Sequence, residues 1–85
     1  MSPKKAWYFY VLSCSDQSLY TGVTTDVDRR VREHNNKKGA KYTRGRVPVM
    51  LFYFREMKDR SSAQKLESSF KKLPRSRKLE KLCEN

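Results

Sequence analysis

A chain of 85 residues folds as one domain with a small core, burying about 60% of the surface its unfolded form exposes. With 36% hydrophobic residues, 34% charged residues and ten aromatics, it is excluded from the disordered and low-complexity classes. Twenty Lys and Arg against nine Asp and Glu leave a net charge of +11, whose field draws polyanions, so nucleic acid is the first partner to expect.

No apolar stretch approaches the ~20 residues that span a bilayer, and no amphipathic segment is apolar enough to prefer an interface, so no membrane association is expected. Cys14 and Cys83 lack a CxxC partner, and a single histidine cannot complete a four-ligand zinc site with them. Both read as reduced thiols. The N-terminal run MSPKKAWYFYVL places two lysines before an apolar segment, but that segment is aromatic and has no small-residue cleavage site. It reads as a strand, and the cytoplasm is the expected compartment.

In chain order, residues 6–14 predict a strand with Trp7, Phe9 and Val11 on one face and Tyr8, Tyr10 and Leu12 on the other. Both faces are apolar, which suits a central strand. The turn formers 15–18 and the β pattern of residues 19–23 complete an antiparallel hairpin. Thr24, Thr25 and Asp26 supply caps for a helix from about Val27 to Asn35, with Val27 and Val31 facing inward. Residues 35–46 read as a basic loop, and residues 29–46 carry eight basic side chains and one acidic. An anion is drawn there first. Residues 47–54 predict a third strand with Pro48 near its start, pairing with the first. Ser61 and Gln64 resemble a capping box for a second helix running to about Leu73 with Ala63, Leu66, Phe70 and Leu73 inward. Pro74 ends it, and a short third helix covers residues 75–83.

A few residues break these patterns. Glu67 lies between Leu66 and Phe70 on the inward stripe, where a carboxylate is costly unless it reaches solvent, pairs with a lysine or holds a cation. Arg30 and His34 stand one turn apart beside the inward face, whereas Arg29 and Arg32 point elsewhere and suit solvent or phosphate. Tyr10 and Tyr20 sit on adjacent strands that bring two hydroxyls together, and positive charge around a tyrosine lowers its pKa. Gly22 admits a close backbone approach or a β-bulge.

Taken together, Tyr8-Phe9-Tyr10, Tyr20-Thr21-Gly22, Arg30, His34 and Glu67 resemble the GIY-YIG nuclease superfamily over nearly the whole chain. The runs SLYTGVTTD, RRVREHN, GAKYTRGR and SSAQKLE are similar to its small stand-alone bacterial members, the YhbQ-like proteins. The resemblance implies an α/β (α+β sandwich) fold: a three-stranded antiparallel sheet flanked by about three helices in the order β-β-α-β-α-α, residues 1–85 forming a single domain. It also implies Tyr10, Tyr20, Arg30 and His34 as catalytic groups, Gly22 as motif backbone, and Glu67 as the ligand of Mg²⁺ or Mn²⁺.

In that scheme Arg30 and the metal stabilise charge on a phosphodiester, and Tyr10, aided by Tyr20 or His34, removes the proton of an attacking water. Arg29, Lys37, Lys38, Lys41, Arg44 and Arg46 would hold flanking phosphates, and Tyr42 would stack on a base. The first motif lacks its glycine, and the asparagine that larger relatives carry after the glutamate helix has no clear equivalent. Those relatives also add target-choosing domains, and none is expected within these 85 residues. The leading expectation is a monomeric endonuclease acting on DNA rather than RNA in repair or recombination, with no small-molecule cofactor. The alternatives are a catalytically weak nucleic-acid-binding module and a subunit of a larger repair complex.

Overall fold

The computed structural model describes residues 6–83, Cys83 by its backbone alone. The remaining terminal residues, with Lys4 and Lys5, lie outside the described part, as does the expected free thiol of Cys83. Three strands, β1 (Trp7–Ser13), β2 (Leu19–Thr24) and β3 (Met50–Met57), form an antiparallel sheet in the order β2-β1-β3. Four helices accompany it among the described residues: α1 (Val27–Asn35), α2 (Lys41–Arg44), α3 (Arg60–Lys71) and α4 (Arg75–Cys83).

The alternation of β1 produces two cores. Tyr10, Leu12 and Cys14 pack with Val49, Tyr20 and Val31 on the face that α1 covers. Phe9 and Val11 pack with Phe70, Leu66, Leu73 and Leu82 on the face that α3 and α4 cover. Because every one of these β1 side chains is buried, β1 is the central strand and is covered on both faces. Cys14 is free and buried. No helix among the described residues is long and apolar enough to cross a membrane.

Three expectations change. The basic loop contains the four-residue helix α2, so the order is β-β-α-α-β-α-α. β3 starts at Met50 rather than at residue 47, because Val49 is claimed by Asn35: its N–H donates to Oδ1 at 2.7 Å and its C=O accepts from Nδ2 at 3.1 Å. The strand then runs past Phe54 to Met57 as the outer edge, with Phe52 extruded where the β1–β3 register shifts. Lastly, α3 is capped by Asp59, whose carboxylate accepts the Ser62 N–H at 2.8 Å, and not by Ser61. An acidic cap suits the positive end of the helix dipole better than a hydroxyl. For α1, Asp26 is the cap, accepting from Arg29 N–H.

The edge strand leaves Met50, Phe52 and Phe54 between 49 and 70% exposed. The loop before it is tied down elsewhere. Arg46 bonds Asp16 through Nε at 2.9 Å, donates from Nη1 to the Tyr42 carbonyl at 2.7 Å, and accepts the Ser15 N–H at its own carbonyl. Residues 36–46 are thereby fastened to the β1–β2 turn.

Candidate active site

Tyr10 lies at the middle of the site, and the hairpin register explains why it fits. It faces Gly22 across the β1–β2 ladder, where a Cβ would stand 2.5 Å from the tyrosine oxygen and 2.7 Å from Cζ. Gly22 takes no left-handed conformation and the β1–β2 pairing is unbroken, so it makes neither turn nor bulge. Its role is to leave room for a phenol ring. Tyr20 pairs with Leu12, which makes it the diagonal neighbour of Tyr10 on the same face of the sheet.

From α1, His34 reaches the same point. Its Nε2 is 3.0 Å from the Tyr10 hydroxyl, and its Nδ1 is 2.8 Å from Thr43 Oγ1, whose hydroxyl lies 2.9 Å from the Ala40 carbonyl. Tyr10, His34 and Thr43 are all essentially buried. Gly39 does for His34 what Gly22 does for Tyr10: a Cβ there would lie 2.7 Å from the imidazole Cγ.

Burial dominates the electrostatics. The Tyr10 hydroxyl is pushed up to about 12, chiefly because its anion would be desolvated; the Arg30 guanidinium works against this, while Tyr20 and Glu67 add to it. The lowering expected from neighbouring positive charge is thus outweighed, and Tyr10 is protonated at neutral pH. His34 is held below the usual histidine range by burial first and Arg30 second, with Glu33 opposing. Arg30 is kept charged mainly by Glu33, whose Oε1 is 2.9 Å from Nη1, and it also faces the Tyr10 hydroxyl. Four of the candidates meet around one hydroxyl: His34 bonds Tyr10, Tyr20 packs on the imidazole, and Arg30 bears on the Tyr10 hydroxyl; Glu67, on α3, acts on it only weakly.

Tyr20 forms the open side. Its ring meets His34 edge-on at 5.2 Å and stacks on Tyr42 at 5.8 Å and 26°. A groove of about 300 Å³ runs past Leu19, Tyr20, Thr21, Tyr42, Lys71 and Lys78.

Glu67 comes from α3 with its side chain 21% exposed, and one oxygen lies 3.3 Å from Lys71 Nζ. Among the described residues no cluster of three or more His, Cys, Asp or Glu could hold a metal ion. Mg²⁺ and similar hard cations keep most of their water and take one or two protein carboxylates. Glu67, a partly buried carboxylate beside an exposed lysine, is the residue that would hold such a cation, which would bring charge neutralisation to a bound phosphate.

The cationic residues divide into two groups. Lys37, Lys38, Lys41 and Arg44 are exposed. Arg29 is also exposed but shares Glu33 with Arg30, at 3.8 Å. Arg46 is occupied by Asp16 and by the Tyr42 ring, 4.0 Å from its guanidinium carbon, so it holds the loop together. Tyr42, 40% exposed, has the Arg46 guanidinium over its ring and stacks with Tyr20.

Three contributors escaped the sequence reading. Thr43 and Gly39 depend on contacts between α1 and the following loop, which periodicity does not encode. Glu33 was legible in retrospect as an acid three residues after Arg30.

Residues 6–80 match the model of the GIY-YIG catalytic domain. A UPF0213 protein of Haloquadratum walsbyi is 56% identical over 71 residues, covering 84% of this chain and 80% of its own length. One of Clostridium perfringens is 51% identical over 73 residues, covering 86% and 78%. The solution NMR structure of a UPF0213 protein from Bacillus halodurans aligns with TM-score 0.58 and 45% identity, over 88% of this chain and 80% of that one. The NMR structure of a protein from E. faecalis gives TM-score 0.60 and 44% identity, over 93% and 85%. On the match of residues 6–80 and on relatives more than half identical across most of their length, this chain belongs to the GIY-YIG catalytic-domain family.

Proposed function

We propose that this protein is a divalent-cation-dependent endonuclease that hydrolyses phosphodiester bonds in DNA. The observation that carries the reading is the buried Tyr10–His34 pair, with Tyr20 packed on the imidazole and Arg30 beside the Tyr10 hydroxyl, next to a cationic loop. Membership of a nuclease family supports it.

Arg30, held charged by Glu33, binds a non-bridging phosphate oxygen and opposes the charge that gathers there as water attacks. The attacking water enters from the Tyr20 side, where the site is open. Tyr10 is no standing tyrosinate, so it takes the water's proton only as its own passes to His34, which burial keeps neutral and whose Nε2 lies 3.0 Å away. A Mg²⁺ or Mn²⁺ ion on Glu67 would supply further charge neutralisation at the phosphate. Lys37, Lys38, Lys41, Arg44 and Arg29 hold flanking phosphates, and the groove beside Tyr20 and Tyr42 receives the chain near the cut. Damaged or branched DNA in repair or recombination, within the cytoplasm, is the setting we infer.

The test incubates the purified protein with supercoiled, single-stranded and branched DNA and with RNA, in Mg²⁺ or EDTA, alongside Glu67→Ala and Arg30→Ala. Cleavage that needs Mg²⁺ and disappears in both variants is expected. Cleavage that survives both substitutions overturns the mechanism, and binding without cleavage of any substrate leaves a nucleic-acid-binding module.

A further inference from the structure

The one-turn helix α2 interrupts a loop that otherwise reads as a flexible cationic arm, and its buried residue is Thr43, with no exposed surface. A threonine sealed inside a basic loop needs a reason. Its hydroxyl touches two groups: His34 Nδ1 at 2.8 Å and the Ala40 carbonyl at 2.9 Å.

A hydroxyl has one hydrogen, and the Ala40 carbonyl can only accept it. With that hydrogen given to the Ala40 carbonyl at 2.9 Å, Thr43 Oγ1 accepts from His34, which places the imidazole proton on Nδ1. At the other end of the ring, His34 Nε2 lies 3.0 Å from the Tyr10 hydroxyl, and with the imidazole proton on Nδ1 the bare Nε2 accepts the tyrosine hydrogen. The Ala40 N–H also points toward Nδ1, but at 3.4 Å it is the longest contact of the set and yields to the 2.8 Å bond.

We propose that Thr43 is a positioning residue: its buried hydroxyl accepts the Nδ1–H of His34 and fixes the tautomer whose bare Nε2 receives the Tyr10 hydroxyl. The chain of donors then runs one way, from Tyr10 through His34 and Thr43 to the Ala40 carbonyl. In the opposite tautomer Nε2–H would aim at Tyr10 and His34 could take no proton from it. The loop at residues 36–46 thereby acts on the chemistry from behind, in addition to any phosphates its lysines touch. The catalytic part of this inference rests on the proposed nuclease reading; the tautomer does not.

The experiment uses protein with ¹⁵N-labelled histidine, whose single imidazole gives an unambiguous ring-nitrogen spectrum in which a protonated and a bare nitrogen resonate far apart. At neutral pH the wild-type protein is expected to show Nδ1 protonated and Nε2 bare. Thr43→Ser should keep that spectrum, and Thr43→Val should move the population toward the Nε2–H form. In Mg²⁺-dependent cleavage, Thr43→Val should lower kcat about 10- to 100-fold, the scale of losing a group that orients a functional histidine, with KM little changed and Thr43→Ser restoring activity. A wild-type spectrum with the proton on Nε2, or a folded Thr43→Val protein with an unchanged spectrum, overturns the proposal. Because the wild-type spectrum needs neither a stable variant nor turnover, a protein that cleaves nothing refutes the nuclease reading while the tautomer is still decided.

Discussion

Tyr10 and Gly22 face each other across the hairpin so closely that the tyrosine ring fills the space a side chain at residue 22 would need. Gly22→Ala sets a methyl group 2.5 Å from a hydroxyl that is buried and bonded to His34, so the ring cannot swing aside cheaply. We expect a loss of about 1–3 kcal/mol, the usual range for overpacking, read as a fall in thermal midpoint. Gly45→Ala is the control, since a Cβ there meets nothing within 4 Å. Equal losses in the two variants would show that Gly22 is not reserved for Tyr10.

Thr21 gives a change of opposite sign. Its hydroxyl is buried and has no hydrogen-bond partner. Thr21→Val removes the unsatisfied group at nearly constant shape and should stabilise the protein by about 1 kcal/mol, given that such a group costs roughly 1–3 kcal/mol. For a domain of this size that is about 4–8 °C in Tm. A lower Tm would mean the hydroxyl is satisfied.

The two buried titrating groups predict stability losses at both ends of the pH scale. The unfolded chain releases the Tyr10 proton near 10.0 and the folded one at about 12. Between those values the unfolded state binds fewer protons, so stability falls as pH rises, by up to about 1.4 kcal/mol per unit. His34 has its folded pKa below the ordinary 6.5, so the unfolded state protonates first and stability falls as pH drops below that value. Tyr10→Phe should reduce the alkaline loss, leaving the share of Cys14, whose buried thiol is also pushed up, and should leave the acid loss. Denaturant midpoints across pH, with tyrosinate absorbance for the alkaline limb, check both.

Charge on the loop should divide by what each cation already touches. Lysines 37, 38 and 41 are exposed, and replacing one with alanine should reduce the slope of log K against log salt for DNA by about 1. Arg46→Ala should chiefly loosen the loop, because Asp16, the Tyr42 carbonyl and the Tyr42 ring all lose their partner. Fluorescence titrations over a salt series, paired with melting curves, separate the two outcomes.

Turnover supplies the remaining expectation. Arg30→Ala should cost about 10²- to 10³-fold in kcat, as for removal of one preorganised donor at a developing charge. Arg30→Lys should recover little of this, since an ammonium cannot face Glu33 and the Tyr10 hydroxyl with the same planar fork. Single-turnover cleavage of a labelled DNA measures it.

Periodicity and turn chemistry made much of the fold legible, because β1 carries two apolar faces and α1 has its cap and its inward valines in a row. The start of β3 was not legible: Val49 has a strand-like sequence, and only the long-range bond to Asn35 takes it out of the sheet. At the site, the motif residues identified who meets, but not in what state. The sign of the Tyr10 shift depends on how deeply the ring is buried, and sequence shows the neighbouring cations without the burial. Thr43 was hidden for a related reason, its only distinguishing feature being a contact nine residues back along the chain.

The uncovered edge of β3 gives the excess of positive charge a second task. Met50, Phe52 and Phe54 line an outer strand of the kind that invites another chain to add on. Two copies each carrying +11 repel before those edges meet, and salt shortens the reach of that repulsion. Colloidal dispersal and the proposed grip on phosphate would therefore be governed by the same ionic strength, and salt that would loosen the protein from DNA also brings its apolar edges within range of one another.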